Sequence, residues 1–158
     1  MKFEFIYVHF SMLLNSFLLY GANGYTGELI ARYAKQYNLK PILAGRSKKA
    51  IEPLAKQLNY TIRIFDLNDK ASLIEALKDV KLVIHAAGPF QFTAQQMIEA
   101  CLETGTHYLD INGDIAVFEL IKRYDAAAKK AGIMLLPGAG FDVVPTDCVA
   151  LQLIKLLP

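Results

Sequence analysis

The feature that most constrains this chain is a glycine-rich turn between a short apolar run and an amphipathic stretch. The run at positions 17–20 predicts a buried parallel strand, and glycines follow at positions 21, 24 and 27. The helix after them is expected to turn one apolar face inward, formed by Leu29, Ile30, Tyr33 and Tyr37. A strand, a glycine turn and a helix in this order predict the mouth of a dinucleotide site.

The chemistry of such a site explains the residue types in the turn. The turn requires unusual backbone angles, and a Cβ would block a pyrophosphate. Free amides at the start of a helix then face the anion along the helix dipole. We therefore predict cofactor contacts from six residues: Gly21, Asn23, Gly24, Tyr25, Thr26 and Gly27. The alternative is a plain strand-to-helix turn of another α/β protein.

The rest of the chain alternates between strand and helix patterns with short connections. Further strands are predicted at 40–44, 61–65, 81–87, 106–110 and 133–136. Helices are predicted at 48–58, 70–77, 93–104, 115–131 and 146–157, with Ser47 as the cap of the first of these. This alternation predicts an α/β fold, a doubly wound parallel six-stranded sheet of the Rossmann type with strand order 3-2-1-4-5-6.

Length and composition limit the classes of protein that fit. The 158 residues suffice for one well-buried domain, and a mean hydropathy of +0.28 fits a buried parallel sheet or a surface for a partner domain. A net charge of +2 gives no indication of a nucleic-acid partner. Cys101 and Cys148 fit no metal-site spacing and no disulfide framework, so we expect no metal, two inert buried thiols and a cytoplasmic setting.

The end of the second predicted strand indicates which dinucleotide is bound. NAD-specific folds place an acidic side chain there, whereas this chain has Gly45 and Arg46, followed by Ser47. A guanidinium can pair with a 2′-phosphate in a bidentate fashion, so we predict NADP, with Arg46 and Ser47 in contact with it. Asp66 ends the third strand and is expected either to accept the adenine amino proton or to cap the next helix.

The segment His85-Ala-Ala-Gly-Pro89 closes the fourth strand at the switch point of the sheet. Small residues let a cofactor approach the backbone, so Ala87, Gly88 and Pro89 are predicted to contact it, with Pro89 beneath the nicotinamide. His85 and His107 lie inside strands and are interpreted as structural. The strand-end residues Asp110, Asn112 and Asp114 either cap the following helix or face a substrate. No catalytic residue is predicted.

Five motifs together resemble the saccharopine dehydrogenase-like superfamily, in particular the NADP-binding domain of its saccharopine reductase-like and trans-acting enoyl reductase members. They are Gly21-Ala-Asn-Gly-Tyr-Thr-Gly27, Ala44-Gly-Arg46, Ala87-Gly-Pro-Phe90, Gly105-Thr-His-Tyr-Leu-Asp110 and Gly138-Ala-Gly-Phe-Asp-Val-Val-Pro-Thr-Asp147. The resemblance implies an NADP-dependent oxidoreductase whose second domain, placed after the Gly-Phe-Asp loop, shapes the substrate site and the dimer. Where the family often has Thr-Gly-Glu, this chain has Asn112-Gly113-Asp114, which keeps the acid.

These observations define the expected organisation. Residues 1–15 are interpreted as an N-terminal extension of unpredicted structure, too interrupted by polar residues for a signal peptide or a membrane span. Residues 16–158 are expected to be an NADP-binding domain, the N-terminal part of a longer enzyme, with a small-molecule substrate and either a second domain or a homo-oligomeric partner. Alternatives are a non-catalytic NADP-binding regulator of the NmrA type and a sugar-nucleotide epimerase. No tyrosine here has the lysine four residues later that short-chain reductases on this fold use.

Overall fold

Short apolar runs form the strands because a sheet covered by helices on both faces buries both sides of each strand. The computed structural model describes residues 17–156, so the predictions for residues 1–15 lie outside it. The strands are β1 (Leu18–Tyr20), β2 (Ile42–Gly45), β3 (Ile62–Ile64), β4 (Leu82–His85), β5 (His107–Asp110) and β6 (Leu135–Leu136). All pairs are parallel in the order β3-β2-β1-β4-β5-β6, which confirms the predicted doubly wound fold.

Seven α-helices connect and follow these strands in the described part of the chain. They are α1 (Tyr25–Ala34), α2 (Lys48–Leu58), α3 (Lys70–Leu77), α4 (Phe90–Thr104), α5 (Ile115–Lys122), α6 (Asp125–Ala131) and α7 (Val144–Ile154). Their ends follow local chemistry. The Ser47 hydroxyl accepts from the Ala50 amide and caps α2, and left-handed Gly105 and Gly132 end α4 and α6.

Two apolar clusters, one on each face of the sheet, form the core. Leu19 and Leu43 point to the face covered by α1 and α2, where Ile51 is fully buried. Leu18 and Val83 point to the opposite face, which α3 to α6 cover. Successive side chains of a strand alternate between faces, so β1, β2 and β4 each supply both clusters.

The apolar face predicted for α1 is wrong except for Ile30, which is partly buried and packs against the core. Leu29, Tyr33 and Tyr37 are exposed, and the buried residues are Gly27, Ala31 and Ala34. These three small side chains lie at i, i+4 and i+7 and let the helix approach the glycine turn closely. The larger apolar side chains cannot fit in that gap and lie on the outer face.

Three other expectations are corrected. The helix predicted at 115–131 is two helices, because the amides of Arg123 and Tyr124 donate three residues back rather than four. The fourth long helix begins at Phe90 rather than Thr93. Cys101 is buried and burial raises the pKa of its thiol, as expected of an inert group, but Cys148 is exposed on α7, which has no buried residue.

Candidate functional site

The glycine turn is wedged between the ends of three strands. Gly21 has a φ of +87°, and a Cβ on it would lie 2.8 Å from the carbonyl carbon and oxygen of Ala86. Its amide donates to the Ala44 carbonyl at 2.9 Å. A Cβ on Gly27 would lie 2.2 Å from the Gly21 carbonyl oxygen. Gly21 and Gly27 are therefore required by the close approach of the backbone itself.

Gly24 has a different role from its two neighbours in the motif. It is the N-terminal cap residue of α1, with extended backbone angles that any residue adopts, and a Cβ on it would be 3.3 Å from one oxygen. No side chain caps this helix, and Tyr25 and Thr26 at its start are exposed. The amides of the first turn are consequently open to an anion.

Next to this turn is a cavity of about 340 Å³, here called the turn cavity. It is lined by Tyr20, Gly21, Asn23, Gly24, Gly45, Arg46, Ser47, Ala86, Ala87 and Gly88. Seven of the predicted cofactor residues thus come together, from the ends of β1, β2 and β4. The turn cavity is not lined by Tyr25, Thr26 or Gly27. Gly27 is buried, and Tyr25 and Thr26 are exposed in the first turn of α1.

A second cavity of about 300 Å³, here called the β3-side cavity, adjoins the first. It is lined by Tyr20, Arg46, Asp66, Leu67, Asn68, Ala87, Gly88, Pro89, Phe92 and Thr93. The two cavities share Tyr20, Arg46, Ala87 and Gly88, so they form one continuous groove along the carboxyl ends of the strands. A wider groove of about 810 Å³ between β3 and α3 contains none of the predicted residues.

A family model described as the saccharopine dehydrogenase NADP binding domain matches residues 17–136. The chain belongs to this family. The matched segment holds the whole six-stranded sheet and every residue of the two cavities. NADP is therefore the cofactor of this domain.

Curated relatives agree with the family. A saccharopine dehydrogenase-like oxidoreductase of Mus musculus is 31% identical over 150 residues, which is 82% of this chain and 35% of the relative. The trans-acting enoyl reductase of Mycobacterium ulcerans is 27% identical over 138 residues, 82% of this chain and 33% of the relative. A Caenorhabditis elegans protein named lipid droplet localized protein is 28% identical over 144 residues, 82% of this chain and 34% of the relative. The chain spans about a third of the length of these relatives.

Solved structures share the fold. The apo form of saccharopine dehydrogenase (L-Glu forming) from Saccharomyces cerevisiae superposes with a TM-score of 0.77 and 21% identity, covering 89% of this chain and 31% of that one. The Citrobacter triphenylmethane reductase, solved with NADP(H), has a TM-score of 0.57 and 18% identity, covering 73% and 46%. The saccharopine dehydrogenase NADP binding domain thus keeps its sheet architecture at low sequence identity.

In this saccharopine dehydrogenase NADP binding domain, Arg46 follows β2 where the two cavities meet. It is exposed and makes no salt bridge or side-chain hydrogen bond with any residue that the structure describes. Ser47 beside it also caps α2. The guanidinium is thus available to an anion in the groove, as the sequence predicted from its position after β2.

Asp66 lies on the wall of the β3-side cavity. Its Oδ1 accepts from the amide and the side-chain nitrogen of Asn68 at 2.8 and 2.9 Å, which closes a turn after β3. Asp69, rather than Asp66, caps α3 by accepting from the Ser72 amide. The capping alternative for Asp66 is therefore wrong.

Pro89 and Asp66 line the same cavity. The sequence placed Pro89 beneath the nicotinamide and Asp66 at the adenine, and one cavity does not serve both ends of an extended dinucleotide. The side chains of Phe92 and Thr93 complete this wall and were not predicted. The sequence indicated only that a helix begins near these residues, and the predicted start at Thr93 is three residues later than the observed start at Phe90.

Tyr20 forms the floor common to both cavities. Its hydroxyl donates to the Phe65 carbonyl at 3.3 Å, and burial followed by the nearby Asp66 carboxylate raises its pKa to about 12. The phenol is therefore neutral at physiological pH and anchors the floor of the groove to the end of β3.

Asp110 at the end of β5 organises the neighbouring loops and is fully buried. Its carboxylate accepts from the Tyr108 hydroxyl, from the amide and side chain of Asn112, and from the Gly138 amide, at 2.6 to 3.0 Å. Asp114 caps α5 by accepting from the Ala116 amide. The structure supports the capping alternative for Asp114. Asp110 and Asn112 follow neither alternative and form an internal hydrogen-bond network.

His85 and His107 are structural, as predicted. His107 accepts the Met134 amide on its Nδ1 at 2.9 Å. His85 is fully buried, its Nε2 is 3.0 Å from the Thr93 hydroxyl oxygen, and burial lowers its pKa to about 3. An imidazole that stays neutral in this way does not serve as a proton-transfer group near neutral pH.

The lowered pKa of His85 predicts acid sensitivity of the fold. Between its ordinary value of 6.5 and about 3, the unfolded chain binds a proton at His85 that the folded chain does not. The contribution of neutral His85 to the free energy of unfolding is therefore fully present above pH 6.5, and it decreases as the pH falls below that value. Between pH 7 and pH 5 the free energy of unfolding should decrease by up to about 2 kcal/mol through this group.

Urea unfolding at both pH values, compared between the wild type and His85→Phe, measures this contribution. The variant should lose less stability on acidification than the wild type, because the carboxylates are common to both. An equal loss in the two proteins would contradict the assignment.

Two further features complete the description. No group of three metal-ligating side chains occurs within residues 17–156. No helix in that part of the chain has the length and apolar character needed to cross a membrane.

Proposed function

We propose that this protein is an NADP-dependent oxidoreductase that transfers a hydride to or from a small-molecule or acyl substrate. The observation that carries this proposal is Arg46, which lies where the two cavities meet on the family's NADP-binding domain and pairs with no side chain within residues 17–156. Relatives that are named oxidoreductases and an enoyl reductase support the reaction class.

The arrangement of the groove supports one placement of NADP. The open amides at the start of α1 face the pyrophosphate beside Gly24, and Arg46 with Ser47 holds the 2′-phosphate. The adenine occupies the β3-side cavity, with Asp66 on one wall and Ala87, Gly88, Pro89 and Phe92 on the other. In this placement Pro89 contacts the adenine end.

Bound NADPH supplies the hydride, and the residues of this domain bind and orient it. Neither Asp110 nor His85 is free to move a proton, because Asp110 accepts four hydrogen bonds and His85 stays neutral. We therefore assign the proton donor to neither of them.

The exposed side of α7 supports a covering partner. Val149, Leu151, Leu153 and Ile154 are each more than half exposed on a helix with no buried residue. We infer that this surface is covered in the functional protein by a second domain or a second copy. A cytoplasmic setting, expected from the two unpaired cysteines, is part of the same proposal.

The 158-residue chain is expected to bind NADPH without turning over substrate, because both cavities that residues 17–156 form at the carboxyl edge are assigned to the cofactor and a substrate needs a further surface facing it. Calorimetry measures binding, and loss of NADPH absorbance measures turnover with enoyl, imine and keto compounds. Appreciable turnover by the purified chain would show that its active site is already complete. Absence of NADPH binding would refute the proposed function.

A chimera separates an enzyme from a non-catalytic regulator. Residues 1–158 are joined to the remaining two-thirds of the Mus musculus relative and tested on compounds that the relative itself reduces. Turnover that is lost on Arg46→Ala supports the oxidoreductase. A folded chimera that binds NADPH and reduces none of those compounds supports the regulatory alternative.

A further inference from the structure

We propose that His85 is a positioning residue for the cofactor, because through the Thr93 hydroxyl it holds the loop that borders both cavities. This loop, residues 86–89, connects β4 to α4 and is called the β4–α4 loop below. The inference rests on the placement of NADP in the turn cavity and the β3-side cavity.

The contacts of the Thr93 hydroxyl determine which group donates and which accepts in each hydrogen bond. Its hydroxyl has one proton, and the carbonyl oxygens of Ala87 and Pro89 lie 2.8 and 3.2 Å away. Both carbonyls can only accept, so the Thr93 hydroxyl is the donor, and the Ala87 carbonyl is the nearer of the two. The Thr93 oxygen then accepts from Nε2–H of His85 at 3.0 Å.

This arrangement fixes the tautomer of His85 and agrees with its surroundings. With the proton on Nε2, Nδ1 is a bare acceptor, and this buried atom has no hydrogen-bond partner among the residues that the structure describes. The ring is enclosed by Tyr20, Phe90 and Tyr108, with centroids 5.4 to 6.1 Å away. These aromatic rings prevent the imidazole from turning, so its Nε2–H stays directed at Thr93.

The position of the β4–α4 loop matters because it forms one side of the groove. Ala87 and Gly88 line both cavities, and Thr93 itself lines the β3-side cavity. The loop also supports the glycine turn, since a Cβ on Gly21 would lie 2.8 Å from the Ala86 carbonyl. Movement of Ala87 would therefore change the groove at the adenine and at the pyrophosphate together.

Only two hydrogen bonds separate the buried imidazole of His85 from the backbone of the groove. The Ala86 amide donates to the Tyr20 carbonyl at 2.8 Å and ends the regular pairing of β4 with β1. Beyond that point the Ala87 carbonyl is held by Thr93, whose hydroxyl is in turn held by the buried imidazole. His85 thus fixes a backbone group of the binding wall without contacting the cofactor.

The test is NADPH and adenosine 2′,5′-bisphosphate binding by calorimetry to the full 158-residue chain and three variants. Thr93→Val keeps the shape of the side chain and removes both hydrogen bonds, so both ligands should bind about tenfold more weakly. Thr93→Ser keeps the hydroxyl and should restore binding to within about twofold of the wild type. His85→Phe keeps a ring and removes the Nε2–H, and should weaken binding about threefold.

The outcomes are distinct. Weaker binding by both Thr93→Val and His85→Phe, with rescue by Thr93→Ser, supports the positioning role of His85. Wild-type affinity in a folded Thr93→Val, equal losses in the valine and serine variants, or unchanged binding by His85→Phe overturns it. If Thr93→Val does not fold by circular dichroism, unchanged binding by His85→Phe overturns it and weaker binding supports it. A wild type that binds neither ligand refutes the proposed function and this inference with it, whereas unchanged variants of a binding wild type refute only the inference.

Discussion

Replacing Arg46 by alanine is expected to weaken NADPH binding about ten- to hundredfold and to leave NADH binding unchanged. A charge-assisted hydrogen bond to a phosphate contributes about 1.5–3 kcal/mol, and about 1.4 kcal/mol corresponds to a factor of ten. NADH lacks the 2′-phosphate, so it loses nothing. Arg46 pairs with no side chain in the described part of the chain, so its removal should not expose a buried partner.

Lys49→Ala is the matched control for this prediction. It removes the same charge three residues along the chain, but Lys49 lines a separate groove on α2. Calorimetric titration of both cofactors into both variants makes the comparison. Equal losses in Arg46→Ala and Lys49→Ala would indicate a general electrostatic effect, and NADPH affinity retained in Arg46→Ala would contradict the 2′-phosphate assignment.

Replacing Gly27 by alanine is expected to destabilise the whole domain by about 3 kcal/mol or more. The new Cβ would lie 2.2 Å from the Gly21 carbonyl oxygen and 2.9 Å from its carbon, and both are backbone atoms. Relief of this contact requires α1 to move away from the turn, which opens the contact made by Ala31 and Ala34. Thermal and urea unfolding measure the loss.

Gly24→Val is the counterpart within the same motif. Gly24 has ordinary extended angles and lines the turn cavity, so the valine side chain enters the ligand space rather than the core. This variant should fold and should not bind NADPH. A stable Gly27→Ala would contradict the backbone contact assigned to Gly27. A folded Gly24→Val with normal NADPH affinity would show that the motif is only a turn.

The elements whose signals are local were predictable from the sequence. Ser47, Asp69 and Gly105 end or begin helices through contacts within a few residues, so their positions in the chain indicate their roles. The strand order follows from the alternation of strands and helices and from the handedness of parallel crossovers. Arg46 was also predictable, because its place immediately after β2 determines that it faces the carboxyl edge of the sheet.

Features that depend on distance between remote residues were not predictable. The prediction of which face of α1 is buried was wrong, because the helix lies close to the glycine turn. This closeness, rather than hydrophobicity, determines which side chains are buried. The roles of Asp110 and His85 depend on Gly138 and on Thr93, which come from other elements. Pro89 likewise took its place beside Asp66 only once β3 and β4 were assembled on the two sides of the sheet centre.

The sequence by itself determined the sheet order, the glycine turn and the location of Arg46, because strand patterns, glycines and strand ends act over a few residues. Tertiary structure alone decided that Gly21 and Gly27 are required by backbone contacts while Gly24 faces the ligand space. Tertiary structure also showed that His85 holds the loop beside the cofactor groove through Thr93, and that Asp110 is buried in a hydrogen-bond network outside the two cavities. The physical reason is that burial and hydrogen-bond partners depend on contacts between segments that are distant in the sequence. A single sequence does not show which of these segments are in contact.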